Sequence, residues 1–215
     1  MYTKAYEGVK KIYKAEILAL IAAILMLMGS IFSATGLQAG EETASGNGLL
    51  ISGGLIVIVA AILMIVAAIL NIIGVNRAAE DESAFKSALI ALLAGIAANI
   101  VVSAFSGNAT ISSIGRAISN VTEILASYFI CTGVINLADR LNDSAVSASG
   151  KKVRSILMGI WTASAVLNIL TILFGANETM QAVIGITAIV AVIISIVAYF
   201  LYIRLLGKAK NMLAK

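Results

Sequence analysis

Leu49–Val75 reads LLISGGLIVIVAAILMIVAAILNIIGV, 27 residues without a charge. At about 1.5 Å per residue, such a helix crosses a hydrocarbon core of roughly 30 Å with length left for tilt. Small residues recur in pairs along it: Gly53-Gly54, Ala60-Ala61, Ala67-Ala68, then Gly74. A small-residue stripe repeating every seven positions lets another backbone approach closely in a left-handed crossing. This predicts that helix 2 is the central packing helix, with Gly53, Gly54, Ala60, Ala61, Ala67 and Ala68 as its packing stripe.

The rest of the chain follows the same solvent. It has 215 residues, 60% of them apolar and 12% charged, with mean hydropathy +1.03. Soluble domains carry about one quarter charged residues. The fold class predicted is therefore an all-α integral membrane protein with six transmembrane helices, over residues 15–34, 49–75, 87–105, 112–137, 154–174 and 180–204. Residues 1–14 form a basic amphipathic segment, with Tyr2, Tyr6, Val9 and Tyr13 on one face and four lysines nearby, suited to a membrane surface. Residues 205–215 form a basic tail. A secretory signal is the other reading of the first apolar run; the match of helix 1 to a later span speaks against it.

Six spans place both termini on one side. Of 15 Lys and Arg residues, 14 then fall on that side and only Arg116 on the other. The positive-inside rule makes that side cytoplasmic, and the expected location is the cytoplasmic membrane of a bacterium. The net charge of +4 lies beside the spans, so nucleic acid is not an expected partner. The lipid bilayer is, together with a homo-oligomeric copy or a partner membrane protein.

The spans also read as three parallel-repeat helical hairpins. Lys14, Lys86 and Arg154 introduce helices 1, 3 and 5. Asn99, Phe105 and Asn108 share their spacing with Asn168, Phe174 and Asn177. Phe32, Phe105 and Phe174 are expected at outer helix ends. Convergent anchoring at the interface is the alternative.

Chemistry is sparse. The chain has no histidine, no proline and a single cysteine, Cys131. This excludes Ser-His-Asp and Cys-His nucleophiles and an intrachain disulfide. There is no P-loop, and Asp81, Asp139 and Asp143 all lie in polar links. No catalytic residue, metal site or cofactor is expected, and the chain does not read as an enzyme. Glu80, Asp81 and Glu82 read as a solvated face, with Arg77–Asp81 and Glu82–Lys86 as i,i+4 pairs.

Helix 4 is the least apolar span. Ser113, Arg116, Asn120, Glu123, Ser127 and Cys131 follow at spacings of three and four, a stripe along one face. Asn99 in helix 3 and Asn168 in helix 5 stand on further polar stripes. Two readings follow. Glu123, Asn120, Asn99, Asn168 and Arg116 line an intramembrane tract for a cation or small solute, in a transporter or channel. Or they are interhelical hydrogen-bonding groups in a non-enzymatic membrane subunit or scaffold acting through helix packing. The Ala15-xxx-Ala19-xxx-Ala23 run in helix 1, in a six-span chain of this length, resembles the docking motif of the substrate-binding subunits of energy-coupling-factor vitamin transporters. That resemblance covers one helix and assigns no site residue.

Overall fold

The computed structural model describes residues 2–39, 44–105, 109–174 and 178–214; within these helices, the side chains of 39, 44–45, 109–114, 116–117, 164–165, 167–174, 178–185 and 188 lie outside the described residues. The protein is all-α, with α1 Thr3–Ala39, α2 Ala44–Ala78, α3 Ala84–Ala104, α4 Ala109–Arg140, α5 Ser144–Phe174 and α6 Glu178–Leu213. Among the described residues, five helices are long and apolar enough to cross a membrane: α1, α2, α3, α4 and α6. Much of the apolar half of α5 lies outside the described residues. The chain divides into two compact units, Lys10–Gly74 and Met1–Val9 with Val75–Lys215.

Lys10–Gly74 is a hairpin built on glycine. A Cβ placed on Gly53 would lie 2.5 Å from Ser33 Oγ and 2.8 Å from the carbonyl oxygen of Gly29. One placed on Gly29 would lie 2.9 Å from the carbonyl oxygen of Gly53. The two backbones touch here, which only glycine permits. Further along, Ala60 and Ala67 are buried. At the other end of the hairpin, Asn71 Nδ2 donates to Glu16 Oε1 at 3.3 Å.

The second unit is organised around α4, which packs on α3, α5 and α6. Half of the apolar window of α4 is buried, against 11% for α2. Within this unit the central packing role belongs to α4. The reason lies in the sequence of its inner half: Ile130, Cys131, Val134, Ile135, Leu137 and Ala138 are buried along one broad face of the helix.

Cross-helix contacts fix the register. Phe85 fits against Gly133, where an added Cβ would lie 2.5 Å from the ring. Gly95 faces Thr122 and Gly150 faces Ile135 and Leu205. Arg154 Nη1 donates to Thr132 Oγ1 at 3.3 Å and stands over the Tyr128 ring. Lys208 Nζ donates to Ser149 Oγ at 3.0 Å. In this antiparallel register Lys86, Thr132, Arg154 and Arg204 share one level, with a cation on each of α3, α5 and α6. From that level to the outer ends the four helices run about 27 to 39 Å, at about 1.5 Å per residue.

Inward of that level the helices continue. α4 runs on to Arg140, α5 begins at Ser144 and α6 ends at Leu213. Here Val146, Val153, Leu205, Leu206, Ala209, Met212 and Leu213 are buried, as are Ala5, Val9, Val75, Ala78 and Phe85. The expected tail at 205–215 is thus a helical end with a packed face through Leu213. The expected surface segment at 1–14 continues α1 without a break, and its inward face near the start is Ala5, Gly8 and Val9; Tyr2 and Tyr6 are half-buried. Small residues let the helix end approach, where tyrosines would hold it off. Tyr202, expected in an aromatic belt, is also buried.

The long polar link expected between helices 4 and 5 shrinks to three residues. Asp143 N donates to Ala138 O, Asn142 N donates to Asp139 O, and Asn142 sits at φ 55°. This is a Schellman end with asparagine in the left-handed position. Asp143 Oδ1 then accepts from Val146 N at 3.0 Å and caps α5. Of the three phenylalanines expected at outer ends, Phe105 directly follows α3 and Phe174 closes α5, but Phe32 lies seven residues inside α1.

Candidate functional site

Hydroxyl groups in the apolar helices are satisfied locally. Ser30, Thr35, Ser103, Thr122, Thr132, Thr162 and Ser195 each donate to the carbonyl four residues earlier. They need no partner on another helix. A carboxylate has no donor for such a bond, and an amide that makes one still has its oxygen to satisfy, so these groups mark where a polar partner is required.

Four of these groups, Glu80, Asp81, Glu82 and Asn136, meet partners at the inner end. Glu82 is 2% exposed at its side chain. Its Oε1 accepts from Asn136 Nδ2 at 2.9 Å and from the Ala84 N–H at 3.4 Å, and its Oε2 lies 2.7 Å from Arg140 Nη2. The last contact is an ion pair without hydrogen-bond alignment. A carboxylate at the start of α3 also meets the positive end of that helix. Beside it, Asp81 Oδ2 accepts the backbone N–H of Ala5 at 2.7 Å, capping α1 from 76 residues away. Glu80 pairs with Lys4 at 3.7 Å and Arg77 at 3.6 Å.

The acidic run is therefore a clasp and not a solvated face. It ties the start of α1 and the end of α4 to the α2–α3 turn. The ion pairs that the run forms among the described residues are Lys4–Glu80, Arg77–Glu80 and Arg140–Glu82, in place of the i,i+4 pairs read from spacing. Sequence reasoning missed Glu82. The available signal was Asn136 and Arg140, donors four residues apart on one helix face.

Arg140 is 51% exposed, so its own desolvation is small. Removing it strands a buried carboxylate. Arg140→Ala is expected to cost about 1 to 3 kcal/mol of stability, and Glu82→Gln, which keeps the Asn136 contact, less. Thermal melting of both variants in mild detergent checks the order. Asp81→Ala removes one cap and is expected to cost about 1 kcal/mol. Its effect should be local, read as faster protease cleavage near residue 5 with a nearly unchanged melting point.

The polar stripe of α4 lies further out. Glu123 and Asn120 are exposed, as is Asn99 on α3. None of the three side chains has a hydrogen-bond or ion-pair partner among the described residues. Arg116 and Asn168 lie in α4 and α5 by their backbones, and their side chains fall outside the described residues. The face of α4 turned to α3 is instead Gly115, Ser119, Thr122 and Ala126, all buried. Cys131, at the inner end of the stripe, is buried. Glu123 is nine residues outward of Thr132, about 13 Å along the helix.

The helix 2 stripe is split in the same way. Gly53, Ala60 and Ala67 are buried together with Gly74, whereas Ala61 and Ala68 are exposed and a Cβ on Gly54 would meet nothing within 4 Å. The hairpin uses the first member of each pair.

A shallow apolar groove of about 170 Å³ lies between Leu25, Leu55, Ile56 and Val59. It is below the usual range of small-molecule sites, roughly 300 to 1,000 Å³. Among the described residues no group of three His, Cys, Asp or Glu side chains could hold a metal ion. Comparison with family models, with characterised proteins and with solved structures finds no match. The likeness of helix 1 to vitamin-transporter subunits accordingly remains one of pattern.

Proposed function

We propose that this chain is a non-enzymatic multi-pass membrane subunit that acts through helix packing. The observation that carries the reading is the placement of Asn120 and Glu123 on the outward face of α4 while the face toward α3 is small and closely packed. Polar groups turned outward at this depth serve contact with another protein.

The level of Lys86, Arg154 and Arg204 then marks the cytoplasmic face of the bilayer, with both termini on that side. The helix lengths beyond it match a hydrocarbon core of roughly 30 Å. The buried inner ends form a water-side cap, and the exposed isoleucines of α2 and α6, such as Ile58, Ile65, Ile189 and Ile193, face lipid. The shared level of Lys86 and Arg154 also supports the parallel-hairpin reading, in which each odd-numbered helix enters the membrane behind a cation.

One observation favours the alternative, a cation or small-solute transporter: Glu123 is exposed about 13 Å along α4 from the level of Thr132, and within a bilayer a carboxylate at that depth is a functional candidate by default. Flux into proteoliposomes at several pH values separates the two. The subunit reading expects rates equal to those of empty liposomes for wild type and Glu123→Gln alike. A pH-dependent flux abolished by Glu123→Gln would establish the transporter.

A further inference from the structure

α4 carries two seams with heptad spacing. The first contains Gly115, Ser119, Thr122 and Ala126, is buried, and meets Val102 and Gly95 of α3. The second is Asn120, Glu123 and Ser127, each one residue further on and so about 100° round the helix. Asn120 and Glu123 are exposed and Ser127 is half-buried. Ile118, Val121 and Leu125 are exposed as well, on the opposite side of the helix. Inward, this seam ends at Ile130, which is buried.

A polar seam with a 3.5-residue period matches a neighbouring helix in a left-handed crossing; acyl chains impose no such period. Facing lipid at this depth, a carboxylate costs a few kcal/mol. The occupant must therefore be a helix that offers hydrogen-bonding groups at the levels of Asn120 and Glu123. A second copy of this chain does so. It inserts in the same orientation, which brings its α4 alongside in parallel and its polar groups to the same depth. The Asn120 amide both donates and accepts, and a two-fold axis repeats each contact.

We infer that α4 pairs with α4 of a second copy along Asn120, Glu123 and Ser127, the Asn120 amide of each copy donating to the Glu123 carboxyl of the other. The inference rests on the membrane-subunit reading and gives it a partner.

The test moves the single thiol from a buried place to the seam, with Ser127→Cys combined with Cys131→Ser. Oxidation in native membranes is expected to give a two-chain disulfide product. Wild type, whose Cys131 is buried, and Ile90→Cys with Cys131→Ser, exposed on α3, are expected to give none. Adding Glu123→Leu should lower the cross-linked fraction about five-fold, the size of one interhelical polar contact, and Glu123→Gln should preserve it. Energy transfer between wild-type copies labelled at Lys215 and reconstituted at low density should report the same association.

Equal cross-linking at positions 90 and 127, no loss with Glu123→Leu, or no energy transfer between wild-type copies overturns the inference. If the chain instead cross-links at position 127 only to a different membrane protein, the inference falls and the subunit reading stands. If position 127 reacts with a membrane-impermeant thiol reagent and the protein supports pH-dependent flux, both fall.

Discussion

Gly53→Leu is expected to prevent the α1–α2 hairpin from closing, while Gly54→Leu, one residue away, is expected to leave it intact. The space around each position decides this. At Gly53 even a single added carbon would stand 2.5 Å from Ser33 Oγ and 2.8 Å from Gly29 O. The obstructing atoms at Gly29 and at the Ser33 N–H, 2.8 Å away, belong to helical backbone and cannot swing aside. The helices must separate, and with them the contacts that Gly29, Ala22 and Ala60 make possible. A loss of at least about 3 kcal/mol follows, the upper end for an overpacked site. At Gly54 the added side chain enters open space and meets no neighbouring atom that must move. Ala61→Leu is expected to behave like Gly54→Leu, and Ala60→Leu like Gly53→Leu. Yield of folded protein and thermal melting in mild detergent read the contrast.

Phe85→Ala is expected to destabilise the second unit by about 3 to 5 kcal/mol, the usual cost of deleting a buried aromatic ring. Phe85 is the largest fully buried side chain among the described residues. Its ring rests on Gly133, with three ring atoms within 2.8 Å of where a Cβ would stand. The pair is thus complementary: a large residue on α3 and none on α4. Gly133→Leu in the wild-type background should be about as damaging as Phe85→Ala, because the ring has no room to retreat. The double variant should recover part of the loss, since the new leucine occupies the space left by the ring. Double-mutant coupling of at least about 1 kcal/mol is expected for residues in direct contact, and strict additivity would show that the two do not share one space.

The membrane-length helices were legible because hydropathy and length depend only on local sequence. Leu49–Val75 and the apolar runs of helices 3 and 6 are such cases. Which face of a helix is used was legible only in part. The period-seven stripe of helix 2 pairs small residues, but Gly53 and Gly54 lie about 100° apart, and a pair in sequence does not say which member meets α1. On α4, two interleaved patterns share one helix. The polar one was visible because Asn and Glu are rare in such segments; the small one that packs on α3, Gly115, Ser119, Thr122 and Ala126, was hidden among ordinary residues. The inner ends were misread for a different reason. Charged residues near Arg140, Lys151 and Lys208 look like links and tails when counted, yet they occupy the outer faces of helices whose other faces, Leu137, Val146 and Leu205, are buried. Glu82 reached its partners through the tertiary fold, which brings together positions 54 and 58 residues apart. No local spacing records that.

Solvent access at the depth of Asn120 tests the central claim most directly. In a Cys131→Ser background, Asn120→Cys is exposed to a membrane-impermeant thiol reagent from each side of native membranes, with Ala148→Cys, an exposed position six residues before Arg154, as the reactive control. If the polar face of α4 serves protein contact within the bilayer, Ala148→Cys is labelled from the cytoplasmic side and Asn120→Cys from neither side until the membranes are dissolved. Rapid labelling of Asn120→Cys from either side would mean that water reaches Glu123, and the polar face would then belong to a conduit for solute and not to an interface.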